Sequence, residues 1–225
     1  MKLLTSAAAL AALTTIAAPV LAQDKGFTAE FEALGLQFSD TDGDDSQSDF
    51  TVGGRVTFGY DFGSGKSVRL RYFQFTAEDE TLPGGELAIK SADLEYAGKL
   101  DLGEAWDGEL SAGLRWISMQ TPEGSDWTGS VGPVIGANFT SRLSNQVALY
   151  AGGRQAFVFG NEATNDHAYP FSISEIAFGV EWKPPVKRGD LAIRLGAEAQ
   201  YYSSVRDSEE DYGLVGWTLG ARYTF

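Results

Sequence analysis

The chain has 225 residues, a formal net charge of −14, and no cysteine. The acidic balance excludes nucleic acid as a partner, the missing thiols exclude a disulfide framework and thiolate chemistry, and 43% apolar residues exclude intrinsic disorder. The 27 Gly, together with 14 Phe, 9 Tyr and 5 Trp, suit an all-β barrel.

In chain order, residues 1–22 (MKLLTSAAALAALTTIAAPVLA) read as a secretory signal peptide. Lys2 forms a basic start, an Ala/Leu-rich run follows, and Val20-Leu21-Ala22 offers a small-residue cleavage site. One domain, 23–225, is then expected. No later segment has the 18 or so unbroken apolar residues of a membrane helix, so a membrane would have to be crossed by strands. Ten segments of period two follow, near 27–38, 50–62, 66–77, 86–100, 107–119, 128–141, 146–160, 171–183, 189–203 and 212–225. Each is long enough for a membrane strand of about 9–11 residues.

The alternation is clearest in LAIRLGAEAQYY (191–202), where Leu191, Ile193, Leu195, Ala197, Ala199 and Tyr201 oppose Arg194, Glu198 and Gln200. In the second segment Val52, Val56, Phe58, Tyr60 and Phe62 oppose Thr51, Arg55 and Thr57. In the fifth, Leu110, Ala112, Leu114 and Trp116 oppose Glu109, Ser111 and Arg115. The third reads Val68, Leu70 and Tyr72 against Arg69 and Arg71. It then breaks phase at Phe73 and Phe75, for which a β-bulge or a strand leaving the membrane are the two explanations. The eighth slips at Ser174-Glu175, and the first is the least regular.

Connectors after odd segments (39–49, 76–86, 120–127, 161–170, 203–211) are crowded with Asp and Glu. Those after even segments (63–65, 99–107, 141–145, 183–189) are mostly shorter and hold most of the non-strand Lys and Arg. Outer-membrane barrels have longer extracellular loops and shorter periplasmic turns. The expectation is therefore a transmembrane antiparallel up-and-down β-barrel of about ten strands, with eight or twelve as alternatives, and with both termini periplasmic in a Gram-negative outer membrane. An aromatic girdle is expected from Tyr60, Phe62, Trp116, Trp127, Trp182, Tyr201, Trp217 and Tyr223. The opposite face carries almost only arginine as its cation, and a guanidinium stays charged and binds carboxylates in a fixed fork. A lumen charge network is expected from Arg55, Arg69, Arg71, Arg115, Arg154, Arg194 and Arg222 with Asp93, Glu95, Glu181 and Glu198. Glu30 and Glu32 lie on the same face. Hairpin pairing of the third and fourth segments should bring Arg69 and Arg71 near Asp93 and Glu95.

Several stretches, "FTVGGRVTFGYDFGSGKSVRLRYFQF", "ADLEYAGKL", "GELSAGLRWISM", "GSVGPVIGANF", "LYAGG" and "LGAEAQYY", resemble in their order the Legionella-type major outer membrane protein family. The resemblance spans most of 50–225 and implies a pore-forming outer-membrane barrel, sometimes linked to adhesion, with no catalytic residues. The first strand and the acidic first loop lie outside it.

Other chemistry is thinly represented. The stretch DTDGDD (40–45) offers Asp40, Asp42 and Asp44 as oxygen ligands for Ca²⁺. However, Gly43 is fourth rather than sixth and Thr51 holds the twelfth place where an EF-hand has Glu. The single His, His167, lies beside Asp166 in a polar loop and is the only handle for an omptin-like enzyme. GSGK (63–66) lacks P-loop spacing and reads as a hairpin turn. The reading is a narrow pore for small solutes, with a structural or adhesive envelope protein as the alternative and no cofactor or enzyme activity. Expected partners are outer-membrane lipid and lipopolysaccharide, and the barrel assembly machinery through the last strand, which ends at Phe225.

Overall fold

A computed structural model describes residues 26–40, 48–78, 85–103, 105–121, 126–161, 168–204 and 211–225. Ten strands run β1 (Gly26–Asp40), β2 (Thr51–Asp61), β3 (Lys66–Glu78), β4 (Glu86–Asp101), β5 (Trp106–Gln120), β6 (Asp126–Arg142), β7 (Val147–Asn161), β8 (Ala168–Trp182), β9 (Asp190–Ser204) and β10 (Tyr212–Thr224). Each pairs antiparallel with its sequence neighbours, and β1 closes the ring on β10 from Thr28↔Thr224 to Asp40↔Tyr212. Closure removes every free sheet edge, which is the condition for crossing hydrocarbon with strands. Residues 1–22, where the sequence leads one to expect a signal peptide, lie outside the described residues.

The apolar faces point outward. Val52 is 69% exposed and Leu195 60%, and Leu70, Leu94, Leu110, Leu114, Ile135, Leu149, Ile176, Phe178, Val215 and Leu219 share that surface. An outward apolar band of this kind is stable only against lipid. Its height follows from β2. Phe62 to Val52 is ten residues, about 33 Å along a strand. At a tilt of about 40° that becomes about 25 Å, the thickness of the apolar band of such barrels.

The pairing across β3, β4 and β5 explains the apparent phase break of the third segment. Outward rows run Leu70–Leu94–Leu114, then Tyr72–Ala92–Trp116, then Gln74–Lys90–Ser118, then Thr76–Ala88–Gln120. The matching inward rows run Arg69–Glu95–Gly113, Arg71–Asp93–Arg115, Phe73–Ser91–Ile117 and Phe75–Ile89–Met119. The pairing of β3 is unbroken, so no bulge is present there and the alternation never slips. The chemistry of the two faces exchanges instead. Below the Tyr72–Trp116 row the wall is greasy outside and charged inside, as in a membrane. Above it the outer face of β3, β4 and β5 turns polar and their inner face apolar, as in a soluble barrel. Of the two explanations, the strand leaving the membrane is the one that fits.

The same exchange accounts for the other irregular segments. In β1 the inward residues change from Glu30 and Glu32 to Leu34, Leu36 and Phe38, all buried. In β8 Glu175 is buried inward, and the neighbouring outward Ser174 donates a hydrogen bond to Gln155 Oε1 at 2.6 Å. A β-bulge does occur, but between β5 and β6, where the three residues from Ile117 to Met119 face the four from Trp127 to Ser130. Gly129 takes φ +72° there, a left-handed conformation that glycine adopts without strain.

Candidate functional site

The interior is built in layers, and the middle layer is ionic. Register alone places Arg69 opposite Glu95 and Arg71 opposite Asp93 across β3–β4. Their side chains pair at 3.1 Å and 3.2 Å. Arg115, only 2% exposed, donates from Nε to Asp93 Oδ1 at 2.6 Å and from Nη2 to Asp93 Oδ2 at 2.8 Å. Arg154 reaches Asp93 at 2.6 Å and also pairs with Glu95. Arg69 continues the chain to Glu109 at 2.5 Å.

These contacts join neighbouring strands, while others cross the lumen. Glu175 on β8 pairs with Arg71 on β3 at 2.7 Å, and those strands are five apart in a ring of ten. Glu175 also accepts from Arg115 at 2.5 Å. Arg55 on β2 reaches Glu198 on β9 in a two-pronged pair, with Glu32 at 3.2 Å on its other side. Nearer the short turns, Glu181 gathers Arg194 at 2.6 Å and Arg222 at 3.0 Å, and Glu30 accepts from Arg194 at 3.2 Å. Taking a single charge out of water costs several kcal/mol, and here Asp93, Glu95, Glu175 and Glu181 each have two or more guanidinium partners to offset it, while Glu198 shares its charge between Arg55 and the Gln200 amide.

Above the ions lies an apolar layer. Leu34, Leu36, Phe38, Phe73, Phe75, Leu87, Ile89, Ile117, Met119, Val134, Val158, Phe171, Ile173, Tyr202, Tyr212 and Leu214 form one buried cluster. Large side chains from β1, β3, β4 and β5 pack toward the small inner face of β6 and β7, where Ser130, Gly132, Ala156 and Gly160 are buried. The junction between layers is hydrogen-bonded. Tyr202 Oη donates to Gln200 Oε1, and Gln200 Nε2 donates to Glu198 Oε1, both at 2.6 Å. The Arg55 guanidinium lies over the Phe73 ring, 5.5 Å from its centroid.

Below the ions the lumen opens into a cavity of about 1230 Å³. Its walls include Glu30, Arg69, Glu109, Tyr150, Arg194 and Arg222, and its rim includes the turn residues Asn145, Pro184 and Gly189. No residue of the apolar cluster lines it. Arg194 stacks over Tyr150 at 5.0 Å in its wall. The described interior is thus a polar well open at the short-turn end, floored by ion pairs and stopped at the long-loop end by packed side chains.

All seven expected lumen arginines, and Asp93, Glu95, Glu181 and Glu198, face this interior, as do Glu30 and Glu32. Glu175 falls at the apparent slip of the eighth segment, although counting back by twos from Glu181 places it on the lumen face. Glu109 has no partner in the sequence pattern, because its reach to Arg69 two strands away is not visible in hairpin pairing. The missed feature is the apolar layer, since inward Phe and Leu look like a change of phase when strands are read singly. Of the expected girdle, Tyr60, Phe62, Trp116, Trp182, Tyr201 and Trp217 are exposed on the outer surface. Tyr223 is half-buried and donates to the Arg188 carbonyl at 2.7 Å. The Trp217 indole covers Gly35, where an added Cβ would lie 2.3 Å from the ring. The side chains of Trp127 and Asp40 lie outside the described residues, as do Asp42, Asp44 and His167. Among the described residues no cluster of three or more His, Cys, Asp or Glu is arranged to hold a metal ion.

No family model matches the chain, and no curated protein matches it. Solved structures do. The outer membrane protease OmpT from Escherichia coli is 11% identical with a TM-score of 0.52, covering 92% of this chain and 99% of that one. Neisserial surface protein A is 15% identical with a TM-score of 0.44, covering 88% and 97%. The outer membrane protein OprG from Pseudomonas aeruginosa is 11% identical with a TM-score of 0.42, covering 90% and 96%. At such identities the likeness concerns fold alone, and the fold is that of an outer-membrane β-barrel.

Proposed function

We propose that this chain is a closed outer-membrane barrel, a structural envelope protein that presents acidic loops at the cell surface rather than a standing pore. One observation carries the reading: the loop-end half of the described lumen is filled by an apolar core with ion pairs directly beneath it. The long acidic loops face outward and both termini face the periplasm. Outer-membrane lipid and lipopolysaccharide surround the barrel, and the assembly machinery engages the last strand at Phe225. The chain carries no enzyme activity; His167→Ala leaving every envelope hydrolase assay unchanged is the expected result, and a lost activity would reverse that statement.

A second reading, a gated channel for small solutes, is favoured by the polar well of about 1230 Å³ at the turn end. The resemblance to the pore-forming Legionella-type family points the same way. Planar bilayers separate the two. The closed barrel gives no steady conductance as the natural protein and gains one when Phe73, Phe75 and Ile89 are all replaced by Ala. Steady conductance of the unaltered protein, changed by neutralising Arg71 or Arg115, would overturn the closed reading in favour of the channel.

A further inference from the structure

We infer that the outer surface of β3–β5 holds a binding site for a phosphorylated, acylated sugar lipid of the outer leaflet, headed by Lys90. This rests on the proposed orientation, with the long loops outside the cell. The row Gln74–Lys90–Ser118 lies directly above the row Tyr72–Ala92–Trp116. The exchange of faces puts hydrocarbon below that aromatic row and water above it, so Lys90 stands at headgroup level. Tyr72 and Trp116 are exposed, and their strands lie two apart, about 10 Å. Ala92 between them has only a methyl group. A methyl group between two exposed rings leaves room for an acyl chain to lie against Ala92, with exposed Leu94 next below it on the same face and exposed Lys90 next above.

The charge inventory points to the same place. Among the described residues, seven cations are the lumen arginines. Lys66, Lys99, Arg142, Lys183, Lys187 and Arg188 lie at the turn end. Lys90 is the one cation on the outer face at the loop end, and it makes no ion pair among the described residues. Its flanks, Gln74, Thr76, Ser118 and Gln120, carry amides and hydroxyls, the groups that meet sugar hydroxyls without charge. Hydrocarbon below, a phosphate partner at the edge and sugar-compatible polar groups above describe a phosphorylated glycolipid and not a soluble anion.

The test uses the full barrel in detergent, with bis-phosphorylated and dephosphorylated lipid A as probes and retention read by native mass spectrometry. The phosphorylated form should be held about fivefold better, the weight of one cation at a charged membrane surface. Lys90→Gln should erase that preference, Lys66→Gln at the other end should keep it, and Ala92→Phe should lower retention of both lipids by filling the room between the rings. Equal retention of the two lipids, or a preference indifferent to Lys90→Gln, would overturn the site. Because the chain has no Cys, Gln120→Cys reports orientation separately through a membrane-impermeant maleimide on intact cells. Absence of label would refute the orientation itself, whereas labelling together with indifference to Lys90 would refute the lipid site alone.

Discussion

Asp93→Asn removes one charge while keeping the shape of the side chain, and the structure gives its cost. Asp93 is 1% exposed and receives three guanidinium groups, from Arg115 at 2.6 and 2.8 Å, Arg154 at 2.6 Å and Arg71 at 3.2 Å. The amide would turn its own NH₂ toward one of those donors and leave three buried cations around Glu95 and Glu175. Breaking a buried pair from one side costs about 3–5 kcal/mol, and with three partners affected the upper part of that range applies. Urea unfolding in detergent micelles, with a slope of about 2 kcal/mol/M, should move its midpoint down by about 2 M. Combining the change with Arg154→Met removes one orphaned cation and should return about 1–3 kcal/mol. A single-variant loss under about 0.5 kcal/mol would show that water reaches the layer and would refute the reasoning.

Phe75→Ala removes a side chain that is 1% exposed inside the apolar layer and should cost about 3–5 kcal/mol in the same titration; near-neutrality would mean that Phe75 faces lipid or water. Gly35→Val drives a branched side chain into the Trp217 ring and should cost about 1–3 kcal/mol. Gly54→Ala, where an added Cβ meets nothing within 4 Å, should lie within about 0.5 kcal/mol of the parent. Asp107→Asn breaks a 3.0 Å pair with Arg142 whose side chains are both mostly exposed, so thermal melting in detergent should register less than about 1 kcal/mol, a difference that shrinks in 1 M salt.

The strands and their inward charges were legible because period two is a local property. A reader needs only neighbouring residues to see that Arg69 and Arg71 share a face, and a hairpin to bring Asp93 and Glu95 beside them. What joins β3 to β8 across the lumen has no local signature, so Glu175 as the cross-lumen partner of Arg71 was not legible. The exchange of faces was half legible. Phe73 and Phe75 stood out as a broken rhythm, but the meaning of the break lay in Phe38, Ile89, Met119 and Ile173 doing the same at one level of the barrel. Those residues are aligned only by register and tilt. Membrane thickness supplies the missing term: thirteen- to sixteen-residue strands such as β3 and β4 are longer than the bilayer needs, so their ends must obey the rule for water.

The exchange of faces is tested most directly by a nitroxide scan along β3, one label at a time at positions 70 through 76, with the barrel in lipid vesicles. Labels at 70 and 72 should collide with oxygen from the bilayer. Those at 74 and 76 should collide with a water-soluble nickel reagent, and those at 71, 73 and 75 should be immobile and shielded from both. Oxygen access at 73 and 75, with 74 and 76 turned inward, would mean that the strand slips after all and that the apolar layer does not exist.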